Sequence, residues 1–404
     1  MGEIDMGIYN RLFPYYIEAC AVTQYHKRGA TPGGWGGHAT IFMNGAEIDP
    51  AAGFPRLRLA SAGADLSSSD SGVGVSVNQI FTNVNWVAIP GRQEFFRGGL
   101  AAEQILDDSF YEAAVRRATA AGWFGGIAIR DKLVRQKPQS MPLQEFVIRH
   151  SIGTDFAMNF ARTAYCARLP MSRDALGRAI DYLNAVNGSA RQTGYIWDAY
   201  TNNCSHVAHN AIAAAGVWDP KEARTSGPMS LVQDLLSVTK ALALGRMSDF
   251  SFPANTFVRL YEAGNERPID NAVAASRNHD VVRTMNEGWL GTGPGALIVT
   301  YPMHDGGLNR LFATGRDPFL FSIPMLWDKE KKFGRLTRTP PSNVTDIYAN
   351  LIHFRDRYSQ ALATQPAMDG DAFEGRFRER LEDELERTES LIAEYRLLAR
   401  LGPG

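Results

Sequence analysis

The chain has 404 residues, of which 45% are hydrophobic and 21% charged, and its formal net charge is −1. Such a composition is typical of a globular protein with one large domain or a few smaller ones, whose core needs no disulfide or metal for support. The balanced charge gives no reason to expect a nucleic acid or an anionic membrane as a partner.

The cysteines and the first residues predict a cytoplasmic location. The chain has three cysteines, Cys20, Cys166 and Cys204. This odd and sparse set is typical of a reducing compartment rather than of a disulfide framework. The opening "MGEIDMGIYNRLFPYY" lacks the basic region and apolar core of a secretory signal. Since no run of about 18 apolar residues occurs, we expect no membrane-spanning helix.

Residues 38–51, "HATIFMNGAEIDPA", predict a β-hairpin. Asn44-Gly45 is a strong signal for a two-residue hairpin turn. Alternation along the two strands then places His38 and Asp49 on one face. They would be diagonal neighbours with about 7–8 Å between their Cα atoms, a distance at which a carboxylate can orient an imidazole. The alternative is a surface hairpin whose polar face meets water.

The segments that follow are assigned from composition and periodicity. The Gly- and Ser-rich stretch 61–77 predicts a flexible surface loop. Residues from about 101 to 216 have a helical pattern, and Ser172 is the candidate N-cap of one of these helices. "GALIVTYP" (295–302) predicts a buried strand.

The last stretch of the chain predicts a long amphipathic helix over 371–404. Apolar residues recur there every four positions, and the opposite face is dense in Glu and Arg. Such a helix either packs on its own domain through one stripe or forms a contact in a homodimer.

The stretch "TNNCSHVAHNAIAAAG" (201–216) holds the candidate nucleophile. Asn203 is a good N-cap residue, so Cys204 would be the first residue of a helix. Unpaired N–H groups and the positive end of the helix dipole favour the thiolate there, and the same N–H groups can hold an oxyanion. His206 and His209 fall on another side of this helix. A zinc site that uses all three residues therefore has poor geometry.

Together, "GHATIFMNGAEID" and "NNCSHVAHNAI" resemble the permuted papain-like superfamily, which includes NlpC-type peptidases in circularly permuted order and lecithin–retinol acyltransferase-like proteins. In that superfamily a histidine on a strand precedes a cysteine at the start of a helix. The resemblance implies that Cys204 is the nucleophile and His38 the base. It also implies that Asp49 takes the third polar position and that His206 is structural.

The resemblance covers the chain around the two motifs and implies an α+β fold, in which a small antiparallel sheet packs on the cysteine helix. We therefore expect a catalytic domain over 1–216 with a large helical insertion at about 100–170. An accessory region of unknown role would span 217–370, and the long helix 371–404 would end the chain.

The implied function is cysteine-dependent acyl chemistry through an acyl-enzyme on Cys204, with His38 as base. Water as the second substrate gives amide or peptide hydrolysis, and an amine gives acyl transfer with amide-bond formation. The sequence leaves both open. Asn203, Tyr200 and Trp35 are the candidates to hold the oxyanion or the substrate. We expect no cofactor and no metal.

The expected partner is a small-molecule, peptide or acyl-thioester substrate. Nucleic acid and a membrane span are not expected, and a homodimer would form through the C-terminal helix. Two other functions stay open. One is a non-catalytic binding or scaffold protein on the same fold. The other, on weaker grounds, is a zinc-dependent hydrolase that uses His206, His209 and a distant carboxylate.

Overall fold

The protein has an α+β fold with one antiparallel sheet and helices on both of its faces. This confirms the predicted fold class at that level. A computed structural model describes residues 3–22, 38–101, 104–198, 202–215, 293–304, 342–364 and 372–401.

The strands of the described residues form two sheets. In chain order they are β1 (Tyr16–Val22), β2 (His38–Asn44), β3 (Ala46–Ile48), β4 (Leu57–Leu59), β5 (Val73–Val77), β6 (Trp86–Pro90), β7 (Ala164–Pro170) and β8 (Leu297–Tyr301). The main sheet has the order β6-β5-β2-β1-β7-β8, and all of its neighbouring strands are antiparallel. β3 and β4 form a small sheet of their own.

The described residues form nine α-helices and two short 3-10 turns. They are α1 (Glu3–Leu12), α2 (Arg92–Arg97), α3 (Asp108–Ala121), α4 (Asp131–Val134), α5 (Leu143–Ser151), α6 (Arg173–Thr193), α7 (Cys204–Ala214), α8 (Ile347–Thr364) and α9 (Ala372–Leu401), with 3-10 turns at Met158–Phe160 and Ser342–Val344. Ser172 caps α6 as predicted, because its hydroxyl accepts from the Ala175 amide at 3.1 Å. In the part of the chain that the structure describes, no helix is both long and apolar enough to span a membrane.

The alternation of side chains gives the main sheet two different faces. The first carries His38 and Ser76, and the Met158–Phe160 turn lies over it. The second carries Trp86, and α6 and α7 lie over it, with the Trp86 indole donating to the Leu183 carbonyl of α6. We call the first the histidine face and the second the opposite face.

The predicted pairing of the strands around Asn44-Gly45 is wrong. The chain does turn at Gly45, whose φ is 85°, but β3 pairs with β4 and not with β2. A strand has two hydrogen-bonding edges, and β1 and β5 already occupy both edges of β2. For that reason Asp49 does not become the cross-strand neighbour of His38.

Three predicted boundaries also change. The loop expected at 61–77 ends in β5, a fully buried strand. The helical insertion expected at 100–170 ends in β7, a strand of the main sheet. β8 lies within the predicted accessory region 217–370, and it is the strand expected at 295–302. Since β8 pairs with β7, that region contributes one strand, at one end of the order, to the main sheet.

A buried carboxylate on β1, Glu18, is neutralised by two arginines. Arg92 Nη1 lies 2.9 Å from both Glu18 oxygens, and Arg168 Nε lies 2.6 Å from one of them. The Tyr301 hydroxyl donates to Glu18 at 3.0 Å, and Arg92 Nη2 donates to the Tyr16 oxygen at 2.6 Å. Burial alone would raise the pKa of Glu18, but the two arginines lower it, so the carboxylate stays charged.

Cys20 and Cys166 lie directly opposite each other on β1 and β7 and are joined by a disulfide. The expectation of reduced cysteines is therefore wrong for this pair. The two residues are 146 positions apart, and only the pairing of β1 with β7 brings them together. Cys204 keeps its thiol.

Helix α9 matches the long helix expected at 371–404, and its apolar stripe is used within the chain. Leu381 and Ile392 are buried, and the helix packs against α8 and α1. Of the two predicted uses of this stripe, packing on its own chain is the one observed. A homodimer contact through this helix stays a prediction.

We predict that Glu18→Gln destabilises the fold far more than Glu47→Gln, the matched loss of one carboxylate charge. The first change leaves two arginines buried without a counter-charge, which costs about 3–5 kcal/mol. Glu47 pairs with Arg58 at 2.7 Å near the surface, where such a pair contributes at most about 1 kcal/mol. Chemical denaturation of the three proteins measures the difference. Equal free energies of unfolding for the two variants would contradict the prediction.

Candidate active site

Cys204 lies at the first position of α7, as the sequence predicts. Asn203 is its N-cap: the side-chain oxygen of Asn203 accepts from the His206 amide at 3.2 Å, and its carbonyl accepts from the Val207 amide at 3.2 Å. The cap forms because the Asn side chain satisfies one of the N–H groups that have no partner within the helix. The remaining N–H groups of the first turn surround the thiol with partial positive charge.

The sulfur of Cys204 also contacts the backbone of β2. The Ala39 amide donates to Sγ at 3.5 Å, and Ala39 is the residue next to His38. This N–H group adds to those of the helix terminus, and both favour the thiolate over the thiol. The structure thus brings the candidate cysteine to the start of the strand that carries the candidate histidine.

His38 is buried, and its Nε2 lies 2.8 Å from the Ser76 hydroxyl. Ser76 in turn donates to Asp155 Oδ1 at 2.7 Å. A hydroxyl has a single hydrogen to donate. Because Ser76 uses that hydrogen on Asp155, it accepts a hydrogen bond from His38 Nε2–H. The network therefore assigns the hydrogen to Nε2 and leaves Nδ1 as an acceptor.

Asp155 ends this network in a fully buried position. Its second oxygen accepts from the Asn78 amide at 2.7 Å, and its backbone N–H donates to the Ser151 carbonyl at 2.7 Å. Burial raises the pKa of Asp155 to about 6, although the hydrogen bonds from Asn78 and Ser76 lower it. Two residues further along, Ala157 adopts a φ of 48°, which costs a non-glycine residue about 1 kcal/mol or more. The tight turn that presents Asp155 is thus held against local strain.

The His38 imidazole is neutral in this environment. Burial lowers its pKa, and the charge of Arg162 lowers it further, to about 3. A neutral imidazole with hydrogen on Nε2 can accept a proton at Nδ1. At pH 7 the resting site therefore holds a neutral imidazole and not a thiolate–imidazolium pair, and burial and the charge of Arg162 both oppose protonation of the ring.

The two candidate residues reach the start of β2 from different sides. The His38 ring lies on the histidine face, where it meets Ser76. Cys204 comes from α7, which covers the opposite face, and it meets the strand at the Ala39 peptide. The contact that joins the two candidates is therefore one between sulfur and backbone, one residue away from the imidazole.

Asp49 does not take the third polar position. Its Oδ1 accepts from the Ala51 amide at 3.1 Å, and its Oδ2 lies 3.8 Å from Arg56 Nε. The reason is that the predicted hairpin between β2 and β3 does not form, because β3 pairs with β4. The carboxylate that the structure joins to His38 is that of Asp155, through the Ser76 hydroxyl.

Tyr195 is a further polar group, and its hydroxyl interacts electrostatically with Cys204. Its hydroxyl is buried and has no hydrogen-bond partner in the part of the chain that the structure describes. Burial raises the pKa of Tyr195, and the charge of Cys204 raises it further. A hydroxyl donor within hydrogen-bond reach of a developing oxyanion can stabilise it. Of the three residues that the sequence predicts for that role, Asn203 is the N-cap of α7, and Tyr200 and Trp35 lie outside the described residues.

In the described residues, one group of possible metal ligands has its ligand atoms within 4.8 Å of one another. It consists of Glu18, Cys20 and Cys166. These residues do not suit a metal, because the cysteines form a disulfide and Glu18 is held by arginines. The zinc alternative needs the side chain of His209, which lies outside the description. That alternative stays a prediction.

Comparison with known proteins found no family model, no curated protein and no solved structure that matches this chain. The candidate function therefore rests on the geometry of these residues.

We predict that wild type loses more stability than His38→Gln when the pH falls from 7 to 4. The folded-state pKa of His38, about 3, lies below its ordinary value of 6.5. Its contribution is present above pH 6.5 and is lost as the pH falls towards 3, because only the unfolded chain readily takes the proton. The loss at pH 4 is about 3 kcal/mol. Urea unfolding at both pH values measures it, and equal losses in the two proteins would refute the predicted burial of neutral His38.

Proposed function

We propose that the protein carries out cysteine-dependent acyl chemistry through an acyl-enzyme on Cys204. The observation that carries this proposal is the contact of the Cys204 thiol, at the start of α7, with the Ala39 amide beside His38. The Ser76–Asp155 network supports it, because it holds the imidazole in the tautomer that accepts a proton at Nδ1.

In the proposed reaction, His38 Nδ1 is the final acceptor of the Cys204 thiol proton, although the two side chains reach β2 from opposite faces, and the sulfur attacks a carbonyl carbon. The carbonyl electron pair moves to oxygen, and the N–H groups at the start of α7 and the Tyr195 hydroxyl stabilise that oxyanion. When the tetrahedral intermediate collapses, the bond to the leaving group breaks and His38 returns the proton to it. Water gives a carboxylic acid in the second step, and an amine gives a new amide.

The carboxylate of Asp155 has a role in this cycle once His38 is protonated. An imidazolium at this site is costly, because burial and Arg162 both oppose its charge. The ionised Asp155 offsets part of that cost through Ser76, as an orienting acid does in other hydrolases. Ser76 and Asp155 are thus positioning residues that act through His38.

The order of elements along the chain supports membership of the permuted papain-like superfamily. The histidine strand β2 precedes the cysteine helix α7, and α7 packs on β2. The chain departs from the expected pattern in the pairing of β3 and in the position of the acid. It also departs in the faces of the sheet from which cysteine and histidine approach. Hydrolysis and acyl transfer both fit the proposed site, and so do peptide, small-molecule and acyl-thioester substrates.

A non-catalytic binding protein is the second candidate function. The observation that favours it is the position of the His38 ring on the histidine face, with a pKa of about 3. In this second candidate function, His38 is a structural residue that completes the buried polar network with Ser76 and Asp155. Cys204 would then be a small residue at the start of a packed helix.

We predict that Cys204 reacts with iodoacetamide at pH 6 about tenfold faster in wild type than in His38→Ala, because the imidazole takes the thiol proton. Peptide mass spectrometry after timed quenching measures the rate. The matched control is His150→Ala, which removes a half-buried histidine whose Nδ1 lies 2.9 Å from the Phe146 carbonyl, and we expect the wild-type rate there. If Cys204 reacts equally fast in all three proteins, the catalytic proposal fails and the binding role is favoured.

A further inference from the structure

Two buried polar groups, one in the loop between β5 and β6 and one on the segment before α7, have no hydrogen-bond partner among the described residues. One is the Tyr195 hydroxyl, and the other is the side-chain carbonyl oxygen of Asn85. Asn85 is 2% exposed and Tyr195 is 6% exposed, so neither group is satisfied by bulk water. Buried polar atoms in folded proteins nearly always have a partner. These two are therefore candidates for atoms whose partner is a ligand.

Two hydrogen bonds hold Asn85 in place. Its backbone N–H donates to Asn187 Oδ1 of α6 at 2.7 Å. Its side-chain N–H donates to Asn202 Oδ1 at 3.4 Å, and Asn202 is two residues before Cys204. This second bond shows which end of the Asn85 amide is the donor, so the unpartnered atom is the acceptor oxygen.

The segment that carries Tyr195 is joined to the same loop. The Tyr195 amide donates to the Thr82 carbonyl at 2.7 Å, three residues before Asn85. The Asn202 side chain donates to the Ile196 carbonyl at 2.8 Å. Hydrogen bonds thus join the loop between β5 and β6 to the segment that ends at Asn202, two residues before Cys204, and both unpartnered groups lie on these joined segments.

The two groups are chemically complementary to one functional group. A secondary amide offers one carbonyl oxygen, which accepts, and one N–H, which donates. The Tyr195 hydroxyl can donate to the first, and the Asn85 oxygen can accept from the second. An ester or a thioester has no N–H and would place its own lone pairs against the Asn85 oxygen.

We propose that Asn85 is a specificity-determining residue that accepts a hydrogen bond from the N–H of the acyl donor, so that the substrate of this site is a secondary amide. This inference rests on the proposed function. In the reaction, the sulfur of Cys204 bonds to the amide carbon, the carbon–nitrogen bond breaks, and the amine leaves with the proton returned by His38.

The test uses two probes that differ only at the atom in question. N-butyl chloroacetamide has an N–H where butyl chloroacetate has an oxygen. Both alkylate Cys204 in the same way, since the thiolate forms a bond to carbon and chloride leaves. The rate of each probe at Cys204 is divided by its rate with glutathione, which removes the difference in intrinsic reactivity. The measured quantity is the ratio of the two normalised rates, amide over ester.

We expect this ratio to be about tenfold in wild type, because a site built to bind an N–H discriminates strongly against a group that lacks it. It should fall to about one in Asn85→Leu, which has no acceptor, and should persist in Asn85→Asp, which keeps one. The matched control is Asn83→Leu, in the same loop as Asn85. This change removes the hydrogen bonds of Asn83 to Gly126 and Ala128 and should leave the ratio unchanged.

A wild-type ratio near one, or a ratio that survives Asn85→Leu, overturns the inference. The failure of the proposed function has a different signature. In that case Cys204 reacts with both probes no faster than an ordinary thiol, and the rate does not depend on His38. An activated Cys204 without discrimination between the probes refutes only the role of Asn85.

Discussion

The charge of Glu18 in the middle of the sheet is the constraint on which the rest of the structure depends. A buried carboxylate is tolerated only where opposite charges and hydrogen-bond donors surround it. Glu18 contacts Arg168, which lies directly opposite it on β7, and Arg92, the first residue of α2. A slip of β1 by one residue would turn Glu18 to the opposite face and leave the arginines unpaired. The cluster thus fixes the register of β1, and with it the places of β2 and β7.

The candidate active site is a consequence of that register. β1 places Val22 opposite His38, and β5 places Ser76 opposite Thr40, so that His38 and Ser76 come together on one face. The pairing of β2 with β5 begins at Thr40, which leaves the Ala39 amide for the sulfur of Cys204. The site lies where the sheet ladder ends and backbone N–H groups become available for other partners.

The features that the sequence predicts correctly are those with local signals. Asn203 and Ser172 are caps because of short-range hydrogen bonds, and the periodicity of the last helix reflects one packed stripe. β5 was missed because its residues "VGVSV" follow a Gly- and Ser-rich stretch. Gly74 is needed there, since a Cβ atom would lie 2.0 Å from the Phe95 ring. The valines alternate with Gly74 and Ser76, and this period of two is the signal that could have identified Ser76.

The remaining errors concern contacts between distant parts of the chain. Asp155 is 79 residues from Ser76, and Cys166 is 146 residues from Cys20. No local pattern shows which strands become neighbours, so neither pair can be derived from the sequence alone. Asp49 illustrates the same limit, because the turn at Asn44-Gly45 does not determine which strand pairs with β3.

The central claim is that Cys204 forms an acyl-enzyme with the help of His38. Its most direct test is brief incubation with p-nitrophenyl acetate, an ester whose activated leaving group lets it acylate a reactive thiol without a hydrogen bond to Asn85. An acid quench and peptide mapping follow. Attack by Cys204 releases p-nitrophenolate and leaves an acetyl thioester. The account predicts acetylation at Cys204 in wild type and a strong reduction in His38→Ala. Acetylation confined to lysines, or equal at Cys204 in both proteins, would contradict it.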